Sequence, residues 1–339
     1  MRSRKTEDRI RAVQRLAARA DADTAEILLT TLDDPSAYVG RLAADELAQV
    51  ATWEICDRLT ERFRYFAEDG FRRDPGCFIR TSLAFALGKC EYAPAVDLLI
   101  DGIRTVQIEP LADSVFDMAC QLRASCAMSL AEIRAPNAIE EIMPLLFDTG
   151  LNRVDKPEEA VRTNPEVRSV AARALARLGS PAGLMPLSIK LLFPDEEKEP
   201  DVTTECMSAA AAVGGESALR YLKPYLRHAN TTFVAHAALA ISTVRASDAH
   251  MDILMAIGRV SGNLLTAVVL ALTTIRSVEA EAALIGLKDS PRGEVRLALV
   301  EVLSVRGDDE SGRILAVMAR ADANQRVRER AAAALKSKL

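Results

Sequence analysis

The nine residues Val167–Leu175 read VRSVAARAL, and the same pattern returns as VRLALVEVL from Val295, VRERAAAAL from Val327, IRTSLAFAL from Ile79 and LRASCAMSL from Leu122. Weaker copies start at Asp8, Val39, Val202, Phe233 and Leu264. Small or apolar residues fall at offsets 0, 4, 5 and 8 of each copy. Those offsets share one side of an α-helix, so every copy is an amphipathic helix with a narrow apolar face. The ten starts are separated by 31, 40, 43, 45, 35, 31, 31, 31 and 32 residues. A recurring period in the thirties marks a repeat array built from one supersecondary unit.

Between the copies runs a second amphipathic helix, seen in AEILLTTL, PAVDLLIDGI, AIEEIMPLLF, GLMPLSIKLL, ALRYLKPYL, EAALIGL and GRILAVM. Neither helix of such a hairpin hides its apolar face alone. Stacking hairpin on hairpin buries both, at about 1.5–3 kcal/mol per large aliphatic side chain. The expected fold is therefore all-α: an α-solenoid, a right-handed superhelix of about ten helical hairpins running through residues 1–339 as one array. Polar ends agree with this, with Arg11, Arg15 and Arg19 in an i, i+4 stripe and Lys336 and Lys338 near the last helix C-terminus. Asp34-Pro35, Asp74-Pro75, Asn164-Pro165, Ser180-Pro181 and Ser290-Pro291 each set a capping oxygen before a proline suited to the first helical position. Pro144, Pro186 and Pro224 fall inside second helices, where a bend is expected.

The turn-and-helix D-P-x-x-x-V-R-x-x-A-A-x-A-L with its proline-bent partner resembles HEAT repeats, particularly the bacterial HEAT-like repeats of phycobilin lyases. The resemblance covers nearly the whole chain and is specific for fold. It implies that the V-R helix lines a concave face. It also implies that the arginine after the anchor (Arg9, Arg80, Arg123, Arg168, Arg296, Arg328) pairs with the turn aspartate, as Arg80 would with Asp74. That arginine is replaced in the copies bearing Gly40, Thr203, Val234 and Leu265.

Composition excludes several functions. Aromatic residues make up only 4% of the chain, which suits thin aliphatic layers. The net charge of −5 provides no positive field for nucleic acid or an anionic membrane. Patches at Arg2–Arg19, Arg58–Arg73 and Arg320–Arg330 are interleaved with acids and read as solvated faces. The charged start MRSRKTEDRIRAVQ has no signal-peptide core, and no apolar run is long enough to span a bilayer, so a cytoplasmic location is expected. None of the six cysteines forms a C-x-x-C pair, and reduced, mostly buried thiols are expected. The metal hydroxylases of this fold use His-Glu pairs, whereas the histidines here precede Ala229, Ala237 and Met251. No phosphate-binding or nucleophile-elbow motif is present. His236 is the one histidine placed near the groove.

Two features break the repeat. Subtracting a 31-residue unit leaves insertions of 9, 12, 14 and 4 residues in four consecutive hairpins, near 67–74, 105–117, 149–164 and 194–201. Each falls before the next V-R helix, on one edge of the stack, where a ligand rim or tolerated surface loops are both consistent with the sequence. Arg72, Arg73 and Arg153 offer cationic contacts there, and the acidic 194–201 segment is expected to be solvated. Offset 6 of the V-R helix points away from the apolar face, and its occupants are Gln14, Asp45, Phe85, Met128, Arg173, Ser208, Leu239, Leu270, Glu301 and Ala333. Phe85, Met128, Leu239 and Leu270 form a central apolar strip, either open to a partner or buried by curvature against neighbouring V-R helices. The expected function is a monomeric, non-catalytic protein–protein interaction scaffold that binds a protein or peptide and needs no cofactor or metal. A lyase-like or chaperone-like protein holding a tetrapyrrole or its carrier is the alternative, and nucleic-acid binding ranks below both.

Overall fold

Every copy of the nonapeptide forms a helix, because its apolar positions align into one stripe that only a neighbouring helix can cover. The structure is a computed structural model and describes residues 5–17, 22–111, 114–148, 164–193, 197, 199–244, 246 and 248–336. The chain divides into two compact units, Met1–Ala182 and Gly183–Leu339.

Unit 1 contains α1 (Thr6–Ala17), α2 (Ala22–Thr31), α3 (Ala37–Val50), α4 (Cys56–Glu68), α5 (Gly70–Arg73), α6 (Phe78–Lys89), α7 (Val96–Arg104), strands β1 (Ile108–Leu111) and β2 (Ser114–Asp117), α8 (Cys120–Ile133), α9 (Ala138–Ile142) and α10 (Pro165–Leu178). The V-R helices α1, α3, α6, α8 and α10 pack side by side in sequence order, and α2, α4, α7 and α9 each lie on the V-R helix that follows. Unit 2 contains α11 (Leu184–Leu192), α12 (Pro200–Gly214), α13 (Leu219–Leu222), α14 (Thr231–Thr243), α15 (Ala249–Ile257), α16 (Gly262–Leu272), α17 (Val278–Gly286), α18 (Gly293–Arg306), α19 (Asp309–Ala321) and α20 (Gln325–Lys336). Its V-R helices α12, α14, α16, α18 and α20 again stack in order. This is an α-solenoid of helical hairpins.

The predicted face is the core. Ile79, Leu83, Ala84 and Leu87 on α6, Val167, Ala171, Ala172 and Leu175 on α10, and Val295, Leu299, Val300 and Leu303 on α18 are all buried. On α20, the last described helix, Val327 and Ala331 are buried while Ala332 and Leu335 are half-buried.

Several local expectations are corrected. The 105–117 insertion is an antiparallel hairpin, with Ile108 paired to Asp117 and Leu111 to Ser114, so among the described residues this helical array carries one small sheet. Pro144 and Pro224 turn their helices into 3₁₀ segments, Met143–Phe147 and Lys223–Arg227. Pro186 instead sits in the first turn of α11, where its missing N–H costs nothing. Asp34 and Ser290 each accept from a backbone N–H two residues on, and their helices start only afterwards, at Ala37 and Gly293. Within the acidic 194–201 segment, Glu197 is buried against the Lys190 ammonium at 2.7 Å.

The arginine after the anchor is a staple of wider reach than the motif implies. Arg80 does hold Asp74 at 2.9 Å. Elsewhere, however, the arginine reaches across the second helix to the next turn: Arg9 to Asp34, Arg123 to Asp148 and Arg296 to Asp322, at 2.7–2.8 Å and 25 or 26 residues apart. Arg296 and Arg328 also donate to the carbonyls six residues back, at Ser290 and Asp322.

The β hairpin is tied into the same system. Arg80 donates to the Gln107 side chain, which donates to the Asp74 carbonyl, and Glu109 accepts from the Gly76 N–H. Arg123 reaches Asp117 at 2.7 Å and the Thr105 carbonyl at 3.0 Å. Asp74, Arg80, Gln107, Asp117 and Arg123 are all buried, and hydrogen bonding of this density is what makes their burial tolerable.

Candidate functional site: an apolar trough and a cationic edge

The offset-6 side chains remain open. Gln14, Asp45, Phe85, Arg173, Ser208, Leu270 and Ala333 are exposed, and Met128, Leu239 and Glu301 are half-buried. Full burial against the neighbouring V-R helices, the other possibility at these positions, does not occur. Phe85 is 49% and Leu270 47% exposed, although both are large apolar residues.

In unit 2, Leu270 borders two adjoining cavities of about 940 and 860 Å³ along α16, α17 and α18. Val302 and Val305 line both cavities, so the two form one trough with an apolar floor. Ile275, Val278 and Ile285 extend it on one side, and Thr266 and Leu297 on the other. Two rim pairs are formed: Arg330 grips Glu301 at 2.6 and 2.9 Å, and Arg306 holds Glu281 at 2.7 Å, while Arg276 and Arg326 also line the rim. The Arg330 hydrogen bonds hold the Glu301 carboxyl below the usual glutamate range. The lining is apolar along its floor, with Glu281, Glu294 and Glu301 among its charged residues and no His, Cys or Lys, so it offers apolar contact and hydrogen bonding.

In unit 1, the first insertion forms α5 and borders a cleft of about 330 Å³. Tyr38, Arg41, Arg72, Arg73 and Phe78 line it, with the Arg41 guanidinium 3.8 Å from the centre of the Phe78 ring. The two predicted cations behave differently. Arg73 donates to the Tyr65 carbonyl and to Glu68 and lies over the Tyr65 ring, so it is committed to the fold. The Arg72 side chain is 83% exposed, with only a loose 3.8 Å approach to Asp69. Arg153 and most of the 149–164 insertion lie outside the described residues. The repeat pattern does not single out Tyr38, Arg41 or Phe78. The signal that could have found them is an aromatic residue shortly after each D-P turn.

His236 is half-buried on α14, and burial holds its imidazole below the ordinary histidine range against the pull of Asp201 and Glu205. Among the described residues, no three His, Cys, Asp or Glu side chains converge as metal ligands, and no helix is long and apolar enough to cross a membrane.

Stacked two-helix repeats with an open V-R face define the class as α-solenoid repeat proteins. Residues 158–242 match HEAT repeats and residues 122–148 match the PBS lyase HEAT-like repeat, so the chain carries HEAT repeats over those residues. Among solved structures it is similar to the complex of CpcE and CpcF of phycocyanin lyase from Nostoc sp. PCC7120, at 17% identity over 77% of this chain and 89% of that one, with a TM-score of 0.40. An engineered protein aligns at 17% identity over 99% of this chain and 96% of its own, with a TM-score of 0.42. A chain of the Pds5–Scc1 complex, described for its implications for cohesin function, aligns at 12% identity over 97% of this chain and 60% of its own, with a TM-score of 0.37. No curated protein matches the sequence.

Proposed function

We propose that the protein is a non-catalytic interaction scaffold, acting as a cytoplasmic monomer, that seats a protein or peptide partner in the trough around Leu270, Val302 and Val305. The observation that carries this reading is an apolar floor left open inside a rim where Glu301 and Glu281 are paired with Arg330 and Arg306. Such a surface gains from burying apolar side chains, and Arg276 and Arg326 on its rim can meet acidic groups of a partner. It suits the apolar face of an amphipathic helix or an extended apolar peptide. Arg72 at the unit 1 edge provides a second, cationic contact.

A displayed peptide library selected on the immobilised protein tests this reading, with Kd measured by fluorescence anisotropy. The expected ligands carry apolar residues at helical or alternating spacing. Leu270→Glu then weakens them by at least about tenfold, equal to about 1.4 kcal/mol, with unchanged melting. Peptides that bind Leu270→Glu as tightly as wild type place the seat elsewhere. A library that yields no ligand removes the scaffold reading.

The PBS lyase repeat match over α8 and α9 supports a second reading, in which the chain holds a tetrapyrrole or its carrier protein. Titration with a free bilin, followed by its visible absorbance, separates the two: a saturable spectral change favours the tetrapyrrole.

A further inference from the structure

Consecutive repeats of unit 1 meet at their turns, and two thiols gather at the turn of residues 51 and 52. Cys56 opens α4 and donates through Sγ to the Thr52 carbonyl at 3.4 Å. Cys90 caps α6 and donates through Sγ to the adjacent carbonyl, Ala51, at 3.6 Å. The two thiols are thus drawn to the carbonyls of neighbouring peptide groups of one turn. Three further contacts lock the turns in register. The Tyr92 hydroxyl donates to Asp57, the Trp53 ring meets Tyr92 edge-on with centroids 5.5 Å apart, and the Lys89 ammonium donates to the Gln49 carbonyl. Both cysteines are free, Cys56 fully buried and Cys90 partly exposed.

We propose that Cys56 and Cys90 are a disulfide-forming site, through which a low-molecular-weight disulfide oxidant staples the second repeat to the third. The accessible Cys90, as thiolate, attacks one sulfur of the oxidant, whose own S–S bond breaks to release one thiolate. Cys56 then loses its proton to solvent and attacks the Cys90 sulfur, expelling the second thiolate. Two protein thiols lose two electrons and two protons, and the oxidant is reduced to two thiols. Burial and the neighbouring Cys90 push the Cys56 thiol up to about 12, which fixes the order, with Cys56 as the slower, resolving partner. The linkage would join equivalent turns of adjacent repeats without moving either helix layer.

The folded full chain is incubated with oxidised glutathione, alkylated, digested with trypsin and analysed by mass spectrometry. The expected product is a bond between peptides 42–58 and 90–104, lighter by two hydrogens than the free pair. It is cleaved by dithiothreitol and absent from Cys90→Ser, and the oxidised protein melts at a higher temperature than the reduced. Two free thiols, a glutathione adduct that persists on Cys90, a bond from either residue to another cysteine, or an unchanged melting temperature would overturn the proposal.

Discussion

The Arg123 guanidinium and the Asp148 carboxylate meet at 2.7 Å across twenty-five residues of chain, and the same guanidinium holds Asp117 at 2.7 Å. One side chain on α8 thereby clasps the turn after its own hairpin and the base of the β hairpin before it. Replacing it with an apolar residue strands two buried carboxylates. Arg123→Met is expected to lose about 3–5 kcal/mol of stability, measured by urea unfolding. A loss within error of zero would mean that water reaches both acids.

Gly70 opens α5, and a Cβ placed there would meet the Gln107 side-chain oxygen at 2.3 Å and the Arg80 guanidinium at 2.7 Å. Both groups are buried and hydrogen-bonded to each other, so neither yields freely. Gly70→Ala should cost about 1–3 kcal/mol. Faster amide exchange is expected at the Met118 N–H, which is bonded to the Gln107 carbonyl.

Leu270 is exposed and leaves no cavity when changed. Leu270→Glu should therefore shift stability by no more than about 0.5 kcal/mol. Leu239, half-buried on α14, should tolerate the same change less well. Circular-dichroism melts of the two variants test the order, and a collapse of Leu270→Glu would show that this side chain belongs to the core.

Asp322 has its carboxyl held below the ordinary aspartate value of 3.8, chiefly by the hydrogen bond from Arg296. A depressed folded-state pKa contributes stability that is fully present above the unfolded value and is lost as pH falls through the folded one. Acid titration should show wild type losing stability below about pH 4, with a shallower loss in Asp322→Asn. Identical acid profiles would show that the pair contributes nothing to folding.

The repeat period and the offsets 0, 4, 5 and 8 are legible in the sequence because they are local: Val167 and Ala171 share a helix face whatever surrounds them. The openness of offset 6 is not, since it depends on how closely neighbouring helices approach at Leu270, a distance no single helix encodes. The β hairpin is hidden by its length and by Pro110, which weakens any strand signal, and Ile108–Asp117 pairing holds it only in concert with the Gln107 and Asp117 contacts. The repeat motif finds the Arg80–Asp74 and Arg123–Asp117 pairs and misses the forward clasps. The recurrence of Asp34, Asp148 and Asp322 some 25 or 26 residues after Arg9, Arg123 and Arg296 is the available signal, but it spans a whole second helix.

That clasp is distributed unevenly. On α12, α14 and α16 the post-anchor position holds Thr203, Val234 and Leu265, so no arginine there can reach for a following turn. Cohesion between those layers then rests mainly on oily contact, joined by scattered bonds such as Lys223 to Asp252 and the Thr274 hydroxyl to the Ser242 carbonyl, whereas the rivets at Arg296 and Arg123 are largely buried ion pairs that salt screens only weakly. Stiffness along the chain should accordingly be patterned: the riveted layers brittle, the oily ones able to slide by small steps while staying wetted by one another.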